Sequence, residues 1–192
     1  MLEEILFFLT IIILSQPIKK SLIMFIGHLP AGYLVTSLFL NNSKSKLSNQ
    51  IYDRIWWIGI ISSVLPDFDL IYFYLIDNRQ HLHHLYWTHI PFYWIFIFSF
   101  FKIVSYLLKN NLMNLINWII AINIFLHLFL DTLVGKILWL YPFSNNDIVF
   151  FEVSAQYSWW VLNFILHWTF FGEIILIVIA FYTYRMKRRK IR

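Results

Sequence analysis

Residues 114–134 read NLINWIIAINIFLHLFLDTLV. This is one apolar run, long enough to cross the roughly 30 Å of a bilayer's hydrocarbon, that carries a histidine and an aspartate toward its end. Such a run decides the fold class, because in lipid every backbone N–H and C=O must be paired internally, and a helix does so within one segment. His127 and Asp131 then decide where to look for function. Ionisable side chains at membrane depth lose most of their hydration and persist only when paired, wetted or bound to a cation. Four residues apart on a helix, the two project from one face and reach one cation or two adjacent ones; the alternative is that they hydrogen-bond each other in the bundle.

Working outward, comparable apolar runs occur at 21–40, 55–76, 89–108 and 159–184. The expectation is an all-α polytopic membrane bundle of five long spans. The run 5–15 (ILFFLTIIILS) adds a short N-terminal helix; Glu3 and Glu4 stand where a secretory signal peptide carries basic residues. No repeat or long linker divides the chain, so 21–184 reads as one domain, preceded by an anchor at 1–20 and followed by a basic cytoplasmic tail at 185–192. Composition agrees: 60% of the 192 residues are hydrophobic and 13% charged, against about 25% charged in a soluble domain. The absence of cysteine excludes disulfides and leaves only nitrogen and oxygen donors for a metal.

The net charge of +5 does not call for a nucleic-acid partner, because Lys and Arg gather in short loops and in the tail, where they anchor the chain and meet anionic lipid. With the tail in the cytoplasm, the inner side collects eleven basic residues (Lys44, Lys46, Arg54, Lys102, Lys109 and six in the tail) and the outer side four (Lys19, Lys20, Arg79, Lys136). That asymmetry sets the expected orientation. In it, His28, Asp67, Asp69, His84, His89, His127 and Asp131 all fall at the non-cytoplasmic end of their segments, which predicts one shared metal site.

Each motif has its own reason. In LPDFD, Pro66 bends the helix and the carboxylates of Asp67 and Asp69 repel unless a cation or proton lies between them; a polar helix end at the headgroups is the alternative. The segment DNRQHLHHLYWTH gathers four imidazoles, of which His84 and His89 are taken as ligands and His81 and His83 as supporting or exposed loop residues. His28 in GHLPAGY sits among Gly27, Pro30 and Gly32, where an irregular helix frees backbone groups to face a cavity. In the last span, His167 is a candidate substrate contact and Glu173 an interhelical hydrogen-bonding group.

Taken in order across residues 24–143, GHLPAGY, VLPDFD, HHLYWTH and HLFLD with the downstream Pro142 resemble the motif series of the membrane-bound metal-dependent hydrolases of the inner-membrane type. The resemblance implies a multi-pass bacterial membrane hydrolase with His28, Asp67, Asp69, His84, His89, His127 and Asp131 around the metal. The chain carries Leu85, Tyr86 and Ile90 where many relatives carry Arg, Gly and Ser, so an arginine suited to an anionic substrate is missing from this motif.

Seven ligands exceed the three of an ordinary mononuclear catalytic zinc site, which favours two divalent ions over one, with zinc first and manganese or iron alternatives. Asp69 and Asp131 are the carboxylates expected to take the proton from the nucleophilic water. A membrane lipid, through a phosphate or ester of its headgroup, is the substrate nearest to such a site. A metal or proton transporter would use the same ligands but needs polar groups through the depth of the membrane, of which Glu173 is nearly alone. A non-catalytic protein with a structural metal is the third reading.

Overall fold

The computed structural model describes residues 26–41, 47–78, 80–154, 156–158 and 160–189. The expected N-terminal helix at 5–15, and the basic residues Lys19, Lys20, Lys44, Lys46, Arg79, Lys190 and Arg192, lie outside them. The described helices are α1 (His28–Asn41), α2 (Asn49–Ser62), α3 (Asp69–Leu75), α4 (Pro91–Leu107), α5 (Asn111–Thr132), α6 (Trp160–Ile165) and α7 (Thr169–Arg189). Tight single turns at Pro66–Phe68, His83–Leu85 and Trp87–His89 link α2 to α3 and lead into α4.

Local chemistry sets these boundaries. The Ser48 hydroxyl accepts from the Ile51 N–H at the start of α2 (3.4 Å), and the Asn110 side chain accepts from the Met113 N–H at the start of α5 (3.0 Å). Pro91 opens α4, where its missing N–H costs nothing. Pro66 stands just past the end of α2, and the segments on either side of it, Asn49–Ser62 and Pro66–Leu75, are bent by 59°.

The all-helical expectation holds among the described residues, save for one isolated bridge between Ile137 and Ile148. The five long spans do not. Among the described residues only Asn111–Thr132 (22 residues) and Thr169–Met186 (18 residues) are long and apolar enough to cross a membrane, and the bent pair Asn49–Ser62 with Pro66–Leu75 makes at most a third. The reason is length. At about 1.5 Å per residue, the 14 residues of α1 and the 17 of α4 fall short of about 30 Å. The apolar run at 159–184 is interrupted where α6 ends at Ile165 and α7 begins at Thr169.

Helix α5 is the hub, packed against α1, α2 and α4, with α7 lying on α1. Small residues let the backbones approach, as in membrane bundles generally. A Cβ on Gly32 of α1 would overlap the Ser63 side chain, and one on Gly59 of α2 would strike Thr36 and come within 2.9 Å of Ile119. Asn123 ties the crossing together, donating to Thr36 Oγ1 and to the Ile119 carbonyl, each at 2.9 Å.

Candidate metal centre

One end of this bundle gathers the ionisable groups. His28 is the first residue of α1, Ser63 follows the last residue of α2, His89 precedes α4, and His127 and Asp131 lie in the final turns of α5. Asp67 enters from the turn that Pro66 opens. The segment after α5 folds back over this end: the Phe150 and Phe151 N–H groups donate to the Thr132 and Leu133 carbonyls (2.9 Å each), and the Trp139 indole donates to the Thr132 hydroxyl (2.7 Å).

At the centre, Asp67, His89, His127 and Asp131 present one ligand atom each, all within 4.8 Å of one another and all buried. His127 Nε2 lies 3.0 Å from Asp131 Oδ2, 3.4 Å from His89 Nε2 and 3.7 Å from Asp67 Oδ1. His89 Nε2 lies 3.5 Å from Asp131 Oδ2 and 3.6 Å from Asp67 Oδ1. A tetrahedral ion with bonds of about 2.0–2.1 Å holds its ligands about 3.3–3.4 Å apart. These five edges bracket that spacing, and the remaining one, between Asp67 and Asp131, lies within 4.8 Å, so the four atoms are close to what a single small divalent ion requires.

The protons point the same way. The Nδ1–H of His127 donates to the Ser63 carbonyl (2.8 Å), and the Nδ1–H of His89 donates to Asp69 Oδ2 (2.9 Å). Each bond assigns Nε2 as the free nitrogen, aimed at the centre, in the arrangement by which proteins orient metal-binding imidazoles. Asp69 Oδ2 also accepts from the Thr88 hydroxyl (2.6 Å). The Nε2–H of His28 donates to Asp131 Oδ1 (3.0 Å), which leaves Asp131 Oδ2, without a hydrogen bond of its own among the described residues, facing the two imidazoles.

Several residues named from the sequence therefore meet here in different capacities. Asp67, His89, His127 and Asp131 form the four-atom group, His28 braces Asp131, and Asp69 braces His89. His84 stands at the edge, its Nε2 3.8 Å from Asp131 Oδ2. It also belongs to a second group with His83 and His89 whose nitrogens lie within 4.8 Å of one another. His83, expected to be a supporting or exposed loop residue, is fully buried, with its ring 3.9 Å from that of His84. Its adjacency to His84 was the available signal, since a single turn places neighbouring rings together. His81 is exposed and pairs with Asp77 (2.7 Å). His167 lies apart from both groups, its Nδ1 2.8 Å from the Thr169 hydroxyl. Glu173 is buried on α7, its carboxylate against the Ile26 and Gly27 backbone at the start of α1.

Outside the spanning helices, burial, aided by the neighbouring His89 and His127 and opposed by Asp131 and Asp67, holds the His84 imidazole down to about 4, so at neutral pH it keeps a lone pair. Burial also pushes His89 down, but its hydrogen bonds to Asp67 and Asp69 outweigh burial and hold it up at about 10 when only protons balance the carboxylates.

A helical membrane protein with a buried histidine–aspartate centre is the class these features define. The chain belongs to the YdjM inner membrane protein family, whose model matches residues 23–191. That places it in a membrane, in accord with its apolar helices. No curated protein and no solved structure gives a significant match.

Proposed function

We propose that this chain is a membrane-embedded, metal-dependent hydrolase whose centre is Asp67, His89, His127 and Asp131. One observation carries the reading: two imidazoles whose Nδ1–H groups are committed to hydrogen bonds elsewhere, so that each turns Nε2 inward, and two carboxylate oxygens converge in a buried space at close to tetrahedral spacing. Without a metal ion, only protons on the imidazoles offset the desolvation of the buried carboxylates, several kcal/mol per ion.

A bound divalent ion would supply Lewis acidity and, on taking water as a further ligand, would lower the pKa of that water. The rest is the chain's own work. Asp67 and Asp131 neutralise the ion's charge, while His28, by donating to Asp131 Oδ1, turns Oδ2 inward. Asp69 holds His89 through Oδ2, and its Oδ1, buried without a hydrogen bond among the described residues, is the atom we assign to accept a proton from the attacking water. His84 at the edge, with His83 beside it, is available to a second ion or to the substrate. Zinc suits the donor set best, with manganese or iron as alternatives, and a lipid phosphate or ester is the substrate class that a centre at the end of a membrane bundle meets first.

Elemental analysis of detergent-purified protein tests the centre before any substrate is chosen. Wild type should retain at least one divalent ion per chain, and Asp67→Ala and Asp131→Ala should lose it. Purified protein is then assayed against headgroup-bearing lipids with added zinc or manganese. Metal bound equally by wild type and both variants would reject the centre, and inactivity toward every lipid together with metal flux in proteoliposomes would reject hydrolysis in favour of transport.

A further inference from the structure

Beside the metal centre lies a cleft of about 710 Å³ that nothing above has used. It touches the centre through Asp69 and Thr88, the pair that orients His89. Its walls are aromatic: Phe68 and Tyr72 from the bent segment after α2, Tyr86 and Trp87 from the turns before α4. Phe68, Tyr72 and Trp87 are 49–55% exposed, so their rings face an open space rather than the core. Tyr72 and Tyr86 meet edge to face at 5.7 Å, which turns their ring faces in different directions around the cleft.

Two carboxylates line it among the described residues, together with the His81 ring, which pairs with one of them. Asp69 contributes a carboxylate that is nine-tenths buried and whose Oδ1 has no hydrogen bond among the described residues. Asp77 contributes a second, fixed by the Gln80 and His81 N–H groups (3.0 Å each) and by the His81 ring. Those bonds hold Asp77 down to about 2, so it is anionic at any physiological pH. Among the described residues no lysine or arginine lines the cleft.

Aromatic faces combined with carboxylates, with no lysine or arginine among the described lining residues, disfavour an anion and suit a large, weakly hydrated cation. Ring quadrupoles attract an organic ammonium over their faces, and quaternary ammonium groups are bound by such aromatic walls. A bare acyl chain would leave the buried Asp69 oxygen unanswered. The exposed apolar side chains of Ile71 and Leu75 on adjoining α3 provide a surface for lipid tails. We infer that this cleft binds the quaternary ammonium of a choline-type lipid headgroup. The inference rests on the proposed hydrolase only for its view of the cleft as the headgroup's route to Asp69.

Full-length protein, stripped of metal with a chelator in a maltoside detergent, is titrated with dihexanoylphosphatidylcholine and followed through the N-methyl resonance of the ligand. A neutral analogue with a tert-butyl group in place of the trimethylammonium serves as the isosteric control. Phosphatidylcholine should bind, the analogue at least about tenfold more weakly, and Trp87→Leu and Tyr72→Leu should each weaken phosphatidylcholine by about threefold or more. Both substituted residues are half exposed, and the analogue comparison needs no variant at all. Equal binding of the analogue would make the cleft a simple apolar slot and overturn the inference. Unchanged affinity in both variants would put the lipid elsewhere, and free choline binding as tightly as the lipid would overturn the lipid assignment. Because no metal is present, each of these outcomes is independent of whether the centre binds an ion.

Discussion

His89 carries the most at the scale of single residues. Its Nδ1 is committed to Asp69 and its Nε2 faces Asp67, Asp131 and His127, so one ring joins the bent segment after α2 to α5. Held up at about 10 in the metal-free protein, it carries a proton that an ion must displace. The sign follows. A histidine raised above its ordinary 6.5 contributes stabilisation that is complete below 6.5 and fades as pH climbs toward 10, and metal binding gains what the proton loses. The apparent affinity for zinc should therefore rise between pH 6 and pH 8, by about tenfold per pH unit for each proton displaced. Competition against a chelator of known pH dependence measures this, and an affinity flat across that range would mean that His89 is not a ligand. Of this arrangement the i, i+4 pair His127 and Asp131 was legible in the sequence, because helical spacing alone brings them to 3.0 Å. The partner of His127 Nδ1, the Ser63 carbonyl, was not, since a backbone acceptor leaves no trace in residue type.

Secondary-structure elements were harder to read than residues. Apolar content marked out the helices well but overstated their lengths, because hydropathy does not register where backbone hydrogen bonding stops. Pro66 announced the bend, which is 59° between the flanking segments, but not that the helix before it would already end at Ser62. Close packing at Gly32 and Gly59 was equally invisible, because it depends on what another helix puts opposite. It makes a sharp prediction. Gly32→Ala drives a methyl group into Ser63 at the meeting of α1, α2 and α5, and overpacking of this kind costs about 1–3 kcal/mol. Gly172→Ala in α7 meets nothing within 4 Å and should gain up to about 1 kcal/mol from helix propensity. Thermal unfolding in detergent should rank the proteins Gly172→Ala, wild type, Gly32→Ala, from most to least stable; a neutral Gly32→Ala would mean that the crossing is looser than described.

For the whole molecule, the open matter is how the bent pair α2–α3 meets the membrane, since it decides between two and three described spans. The position of the centre argues for a crossing. Helix α5 passes from Asn111 to Asp131 at the centre, and α2 runs alongside it and ends at Ser62, next to the carbonyl that holds His127. The 14 residues of α2 cover about 21 Å, and α3, inclined by the bend, adds part of its own length, which together approach the hydrocarbon thickness. The basic asymmetry then predicts Gln50 on the cytoplasmic side, with Gln80 and Asn145 across the membrane. The chain has no cysteine of its own, so single substitutions report cleanly, and all three positions are exposed. In spheroplasts of a bacterial expression host, an impermeant thiol reagent should label Gln80→Cys and Asn145→Cys at once, and Gln50→Cys only after permeabilisation. Labelling of Gln50→Cys and Gln80→Cys from one side would make the bent pair a re-entrant loop. Labelling of Gln50→Cys alone in intact spheroplasts would invert the orientation and open the metal centre toward the cytoplasm, where a soluble substrate competes with lipid on equal terms.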